Sequence, residues 1–221
     1  MICSIKRLRA EANNRALFDI SAVLLDGRCC TIYGPSGIGK STFLRGLANG
    51  HADGEVKGIK FSKLLKFNGE IANIRYIAQH PPRFEFTVDK FFKKMLVANH
   101  DCIGCDDTLQ DIIEAFDLTS ILLSSMMQIS GGQLHRVHLA AALASSAELL
   151  LLDEPTAALD RSNSAILMRL LREFIANRNG YIICCTHDPN FLWESGNEPC
   201  WNSVEFPTFV SIKPPNVHHV I

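Results

Sequence analysis

The chain has 221 residues, 47% hydrophobic and 20% charged, with a formal net charge of −1, the composition of a folded globular protein rather than a disordered one. Near-neutrality excludes the basic footprint of nucleic-acid and anionic-membrane binders. No stretch approaches the ~18 uninterrupted apolar residues of a spanning helix, and the start, Met1 to Arg7, lacks the apolar run of an export signal. These features predict a cytoplasmic chain.

In chain order, Arg9 to Asn14 is predicted as a turn, and Phe18, within ALFDIS, as part of a core strand. Arg28 to Tyr33 (RCCTIY) is a short apolar strand that leads into a glycine-rich loop and then the helical pattern TFLRGLAN. Gln79 follows a strand-like IRYIA. From about Pro82 to Gln128 the pattern changes to helical stripes, Phe91, Phe92, Met95 and Leu96 and then Leu109, Ile112, Ile113 and Phe116, with no strand. Ser130 to Gln133 precede an alanine-rich helix. Leu149 to Leu152 form a strand that ends in Asp153, Glu154 and Pro155, and Tyr181 to Thr186 (YIICCT) form another that ends at His187. Both read as strands buried on two faces. The stripe Ile166, Leu167, Leu170, Leu171, Phe174 and Ile175 between them closes a strand-helix-strand unit. An α/β core with a mostly parallel sheet and an inserted helical subdomain at about residues 82–135 follows. Cys29, Cys30, Cys184 and Cys185 lie in strand-like runs and read as reduced, buried thiols. Cys102 and Cys105 form one CxxC, half the ligand set of a structural zinc site, and read as solvated thiols.

The glycine-rich loop Gly34-Pro35-Ser36-Gly37-Ile38-Gly39-Lys40-Ser41, followed by Thr42, matches GxxxxGK[ST] at every fixed position. Its glycines let backbone N–H groups turn toward phosphates, and the helix behind it presents a positive end. Lys40 is placed to reach the β and γ phosphates and Ser41 to ligate Mg²⁺. The bound species expected is ATP with Mg²⁺. Such a loop alone leaves kinases, GTPases, helicases and transport ATPases open.

The rest of the order narrows this. Ile129-Ser130-Gly131-Gly132-Gln133 precedes LLLLDEP, then Ala158-Leu159-Asp160 and His187, and from about Ile5 to His187 the chain resembles the nucleotide-binding subunits of ABC transporters. The resemblance implies a P-loop NTPase fold with a single ATPase domain over residues 1–221 and ATP hydrolysis in a dimer. Ser130, Gly131, Gly132 and Gln133 would bind the γ-phosphate held by the opposite subunit, with Asp160 also at the nucleotide. Asp153 would orient Mg²⁺ and Glu154 would act as the general base. Gln79 would sense Mg²⁺ and water, and His187 would contact the γ-phosphate. The implied partners are a second ATPase subunit, identical or not, and a multi-span membrane subunit that places the chain on the inner face of the membrane; nucleic acid is not among them. A soluble ABC ATPase acting on nucleic acid or ribosomes is the competing reading, disfavoured by the absence of coiled-coil arms, a second ATPase domain or zinc modules. A non-hydrolysing regulator is disfavoured by Glu154 and His187.

Two departures are visible. The turn at Arg9 to Asn14 has no aromatic for adenine to stack on, so Arg9 is the candidate stacking group. The interval from Lys40 to Gln79 is short, which predicts a reduced N-terminal antiparallel β part.

Overall fold

The computed structural model describes residues 2–25, 28–48, 54–56, 58–67, 71–97, 105–187 and 201–206. The chain divides into two units, Met1–Ala72 with Ile183–Ile221, and Asn73–Ile182.

The first unit opens with strand β1 (Cys3–Ala12), whose buried residues change phase along its length: Cys3 and Ile5 are buried first, Leu8 and Ala10 later. The register against β5 (Ile59–Phe67) gives the reason. Ile5 pairs with Leu65 and Arg7 with Leu64, so β1 carries an extra residue there, and one extra residue moves the apolar set to the other parity. β1 also pairs with β2 (Arg15–Leu25) through a two-residue hairpin, Ala12 opposite Arg15, with Asn13 and Asn14 at φ 50° and 59°. Two successive left-handed residues make the turn that matches strand twist, and Asn tolerates that conformation. The turn expected over Arg9 to Asn14 is therefore confined to the two asparagines, and Arg9 to Ala12 are strand. With β4 (Gly54–Val56) the sheet order is β2-β1-β5-β4, fully antiparallel. The interval between Lys40 and Gln79 supplies β4 and β5 to this sheet, while β1 and β2 precede the glycine loop.

Strand β3 (Cys29–Tyr33) has its first four residues buried, and it pairs in parallel with β9 (Trp201–Glu205), Ile32 opposite Val204. β9 was not foreseen, because WNSVE has little β-branched content and becomes a strand by pairing. Helix α1 (Lys40–Ala48) follows the loop and buries Phe43, Leu44 and Leu47, each worth roughly 2 kcal/mol of apolar transfer. At Gly46 an added Cβ would lie 3.1 Å from Leu8 and 3.2 Å from Phe61, so the helix rests directly on β1 and β5. Phe206 meets Phe43 edge-on at 5.8 Å.

In the second unit β6 (Ile74–Ile77) runs parallel to β7 (Leu149–Asp153), Ile77 opposite Leu152. Helices α2 (Val88–Val97) and α3 (Cys105–Ala115) occupy the predicted helical stretch. A 3₁₀ turn at Thr119–Ile121, α4 (Gly131–Ala144) and α5 (Arg161–Arg178) complete the helices. Helix α5 ends on Asn179 at φ 53°, a left-handed cap. At the next residue, Gly180, the ring of Phe174 lies 2.1 Å from where a Cβ would stand. Strand β8 (Tyr181–Thr186) then leads from this unit into the first. Cys3, Cys29, Cys30, Cys184 and Cys185 are buried and in no disulfide, and burial pushes the Cys3 thiol up to about 12. Cys102 and the side chain of Cys105 lie outside the described residues.

Helix α4 is buried around nearly its whole circumference, with Leu134, Val137 and Leu139 to Ala144 inside, the mark of a core helix. His138 sits in that core. Its Nε2 lies 2.9 Å from Pro82 O and its ring 4.8 Å from the Phe91 ring. A carbonyl only accepts, so Nε2 carries the proton. Burial, with nearby His135 adding to it, pushes the His138 pKa down from 6.5 to about 4 against the opposing bond to Pro82. Between those values the unfolded chain takes up a proton that the folded chain refuses, so this stabilisation is complete above pH 6.5 and is lost as pH falls toward 4. It amounts to roughly 3 kcal/mol at most. Urea unfolding should therefore show stability declining from pH 7 to pH 4.5, with a shallower decline in His138→Phe, which keeps the ring packing; equal slopes in the two proteins would contradict this placement.

Candidate nucleotide site

The glycine loop connects β3 to α1. Gly37 and Gly39 adopt φ 81° and 111°, a region that side-chain-bearing residues avoid. Nothing stands within 4 Å of a Cβ on Gly37, and only ordinary contacts at 3.7 Å to Phe18 and Phe206 would meet one on Gly39. The backbone conformation alone therefore demands glycine at both. Pro35, Ser36 and Gly37 are exposed, whereas Lys40 is 5% exposed and donates through Nζ to Gly34 O at 2.6 Å and to Pro35 O at 3.0 Å. Phe43 N donates to Gly39 O at 2.9 Å, the first bond of α1. The N–H groups of Lys40, Ser41 and Thr42 thus precede the helical ladder and lie at its positive end, above an exposed loop. Backbone in this arrangement is suited to hold an anion. In the same unit, Cys185 Sγ donates to Lys40 O at 3.8 Å, which sets the end of β8 against the first residue of α1. His187, exposed, follows that strand directly.

The second unit holds the carboxylates. Four buried leucines deliver Asp153 and Glu154, 2% and 6% exposed, to the end of β7. Tyr76 Oη donates to Asp153 Oδ2 at 3.0 Å. Glu154 has φ 51°, which for a residue with a Cβ costs about 1–2 kcal/mol, and such strain gathers at functional sites. Gln79, half-buried, comes just after β6. Asp160 caps α5, accepting from Asn163 N at 2.8 Å, and those bonds hold its carboxyl below the usual range.

Ser130 begins α4 in a capping box: its Oγ accepts from Gln133 N at 3.2 Å while Ser130 N donates to Gln133 Oε1 at 2.9 Å. Gly131 and Gly132 differ in their reasons. A Cβ on Gly131 meets open space, but one on Gly132 would lie 2.9 Å from Ala158 O. Next on the helix, His135 is 1% exposed, donates through Nε2 to Pro155 O at 3.0 Å, and has a buried Nδ1 with no partner. No motif in the sequence assigns a role to His135 or His138. Their spacing on an otherwise apolar helix was the available signal, because a buried imidazole must find a hydrogen bond.

The structure thus groups the candidates into two sets. Gly34 to Thr42 and His187 belong to the first unit; Gln79, Ser130 to Gln133, Asp153, Glu154 and Asp160 belong to the second. The Arg9 guanidinium is bonded to Glu11 and lies 3.8 Å from Asp19, so its head group is already engaged by carboxylates instead of being presented for stacking.

A family model described as ABC transporter matches residues 17–157. The manganese transport system ATP-binding protein MntB of Listeria monocytogenes is 30% identical over 182 residues, 78% of this chain and 73% of that one. The sulfate/thiosulfate import ATP-binding protein CysA of Neisseria meningitidis is 31% identical over 216 residues, 90% of this chain and 58% of that longer one. A solved ATP binding subunit of an ABC transporter shares the fold, with a TM-score of 0.71 at 21% identity over 85% of this chain and 80% of that chain.

The two glycines make a paired prediction. Gly132→Ala should destabilise by about 1–3 kcal/mol through its contact with Ala158 O, while Gly131→Ala should be neutral or stabilising, by at most about 1 kcal/mol, as alanine is the better helix former. Thermal unfolding of both variants measures this; equal effects would mean that the close approach at Gly132 is wrong.

Proposed function

The chain belongs to the ABC transporter family of ATP-binding, ATP-hydrolysing proteins, and on that premise we propose that it is the motor subunit of a transporter, working as a dimer and driving a separate multi-span membrane subunit. The observation that supports the reading is that one chain offers two helix N-terminal ends suited to an anion: the glycine loop at α1 and the Ser130 cap at α4. One nucleotide needs only one of them. A second subunit that brings its own bound phosphates gives the other end its ligand.

In this reading the whole of residues 1–221 is one ABC-type ATPase domain with a helical subdomain at about 82–135. Lys40 and the loop amides hold the β and γ phosphates, and Ser130 to Gln133 of the partner contact the γ-phosphate. Asp160 lies near the nucleotide as well. Ser41 and Asp153 offer the hard oxygen donors that Mg²⁺ takes, with Gln79 beside them in role; the ion neutralises phosphate charge when bound. Glu154 takes a proton from the attacking water as its oxygen bonds to the γ-phosphorus and the bond to ADP breaks, and His187 steadies the γ-phosphate and that water. Support for a membrane partner comes from the relatives, whose names are those of transport-system ATP-binding proteins. Among the described residues no helix is long and apolar enough to cross a membrane, so a spanning partner would anchor the chain on the inner membrane face from the cytoplasm.

Two experiments test the reading. Glu154→Gln should keep ATP binding, lose nearly all turnover and elute as a nucleotide-bound dimer on gel filtration, because only the base is removed. Turnover at the parent rate from a monomer would refute the role. A mixture of the two inactive variants Lys40→Ala and Ser130→Arg should regain part of the activity, since a mixed dimer contains one intact loop opposite one intact cap. If verified heterodimers stay inactive, the shared site is wrong.

A further inference from the structure

Helix α4 meets the segment after Glu154 at three places, all inside the Asn73–Ile182 unit. His135 Nε2 donates to Pro155 O at 3.0 Å, the backbone at Gly132 leaves no room for a Cβ beside Ala158 O, and Arg136 Nη1 donates to Asn163 Oδ1 at 3.3 Å. Gly132 and His135 stand three residues apart and share one helix face, so the face that begins at the Ser130 cap is the face that grips this segment. The segment is a succession of turns, Ala157 N to Glu154 O and Leu159 N to Thr156 O, that leads to the Asp160 cap. Short turns of this kind do not by themselves hold a strained residue, and Glu154 at φ 51° needs its surroundings to over-determine it.

The chemistry of His135 points the same way. An apolar residue would satisfy a core position on this helix without leaving any polar atom behind. Here the ring is nearly wholly buried with Nδ1 unpartnered, a cost that the core accepts in order to place one N–H on Pro155 O. Pro155 has no N–H of its own, so its carbonyl, in the peptide to Thr156, is the handle by which a neighbouring element can hold the residue that follows Glu154.

We propose that His135 is a positioning residue: by bonding Pro155 O it holds the Glu154 backbone in its left-handed conformation and so sets the carboxylate in place for its role as base. The proposal rests on the base assignment given above. It also makes the Ser130 cap and Glu154 of one chain mechanically continuous through a single turn of α4, so that phosphate engagement at the cap bears on the carboxylate of the same chain.

The test is a comparison of His135→Leu with His135→Gln in the full chain. Leucine fills the space without a donor, whereas the glutamine Nε2–H can reach the same carbonyl. His135→Leu should lower kcat by about tenfold to a hundredfold while equilibrium affinity for a fluorescent ATP analogue stays within about twofold, and His135→Gln should keep at least about half of the parent kcat. Unchanged kcat in His135→Leu, a parallel loss of binding and turnover, or glutamine as damaging as leucine would each overturn the proposal. Glu154→Gln in the same assay separates the two readings: normal turnover in it removes the base assignment and this proposal together, whereas an inactive Glu154→Gln beside an unimpaired His135→Leu removes the positioning role alone. Should His135→Leu fail to fold, ¹⁵N spectra of histidine-labelled parent protein decide, with the His135 signal assigned by its absence in His135→Gln. A ring protonated at Nε2 and bare at Nδ1 at pH 7 supports the bond, and the opposite tautomer overturns it.

Discussion

An α-helix cannot satisfy its own first N–H groups, and that constraint organises this molecule. At α1 that end follows an exposed loop whose glycines adopt left-handed φ values, with the Lys40 ammonium tethered to the loop carbonyls. At α4 the same need is met in part internally, by the reciprocal bonds of Ser130 and Gln133. One end is arranged to take an anion and the other is pre-set at its cap, which suits a site completed by a second subunit in the proposed motor.

The second unit shows how a buried helix can serve a catalytic edge. Helix α4 carries small and apolar residues almost all round, so its few polar side chains are conspicuous, and three of them each have a definite carbonyl to bond. His138 takes Pro82 O, on the segment that leads to α2; His135 takes Pro155 O, beside Glu154; Arg136 takes Phe116 O at the end of α3. Each of these carbonyls belongs to an irregular stretch with no ladder partner. The helix therefore does for the loops what a sheet does for a strand, supplying donors in fixed register.

The antiparallel sheet of the first unit illustrates a different economy. One extra residue in β1 against β5 changes which parity of side chains is covered, and a two-asparagine hairpin sets the pairing with β2. Helix α1 lies on that sheet through Gly46, where an added Cβ would stand only 3.1 Å from Leu8 and 3.2 Å from Phe61. The loop end of α1 is thereby positioned by apolar packing at the helix's other end.

The sequence by itself determined the elements that have a strong local signature. RCCTIY, LLLLD and YIICCT are strands because runs of apolar residues that short can be buried only in a sheet covered on both faces. GPSGIGKST is a loop before a helix because glycine is needed at φ values that other residues avoid, and SGGQ begins a helix because Ser and Gln close a capping box across one turn. Family membership was legible for the same reason: those motifs are local and stand in order. Only the tertiary structure decided what depends on partners distant in the chain. β9 is a strand because β3 pairs with it, and Gly132 is required because Ala158 O comes close. His135 gains a role because Pro155 O lies beside it, and no local pattern encodes the place where two distant segments of chain meet.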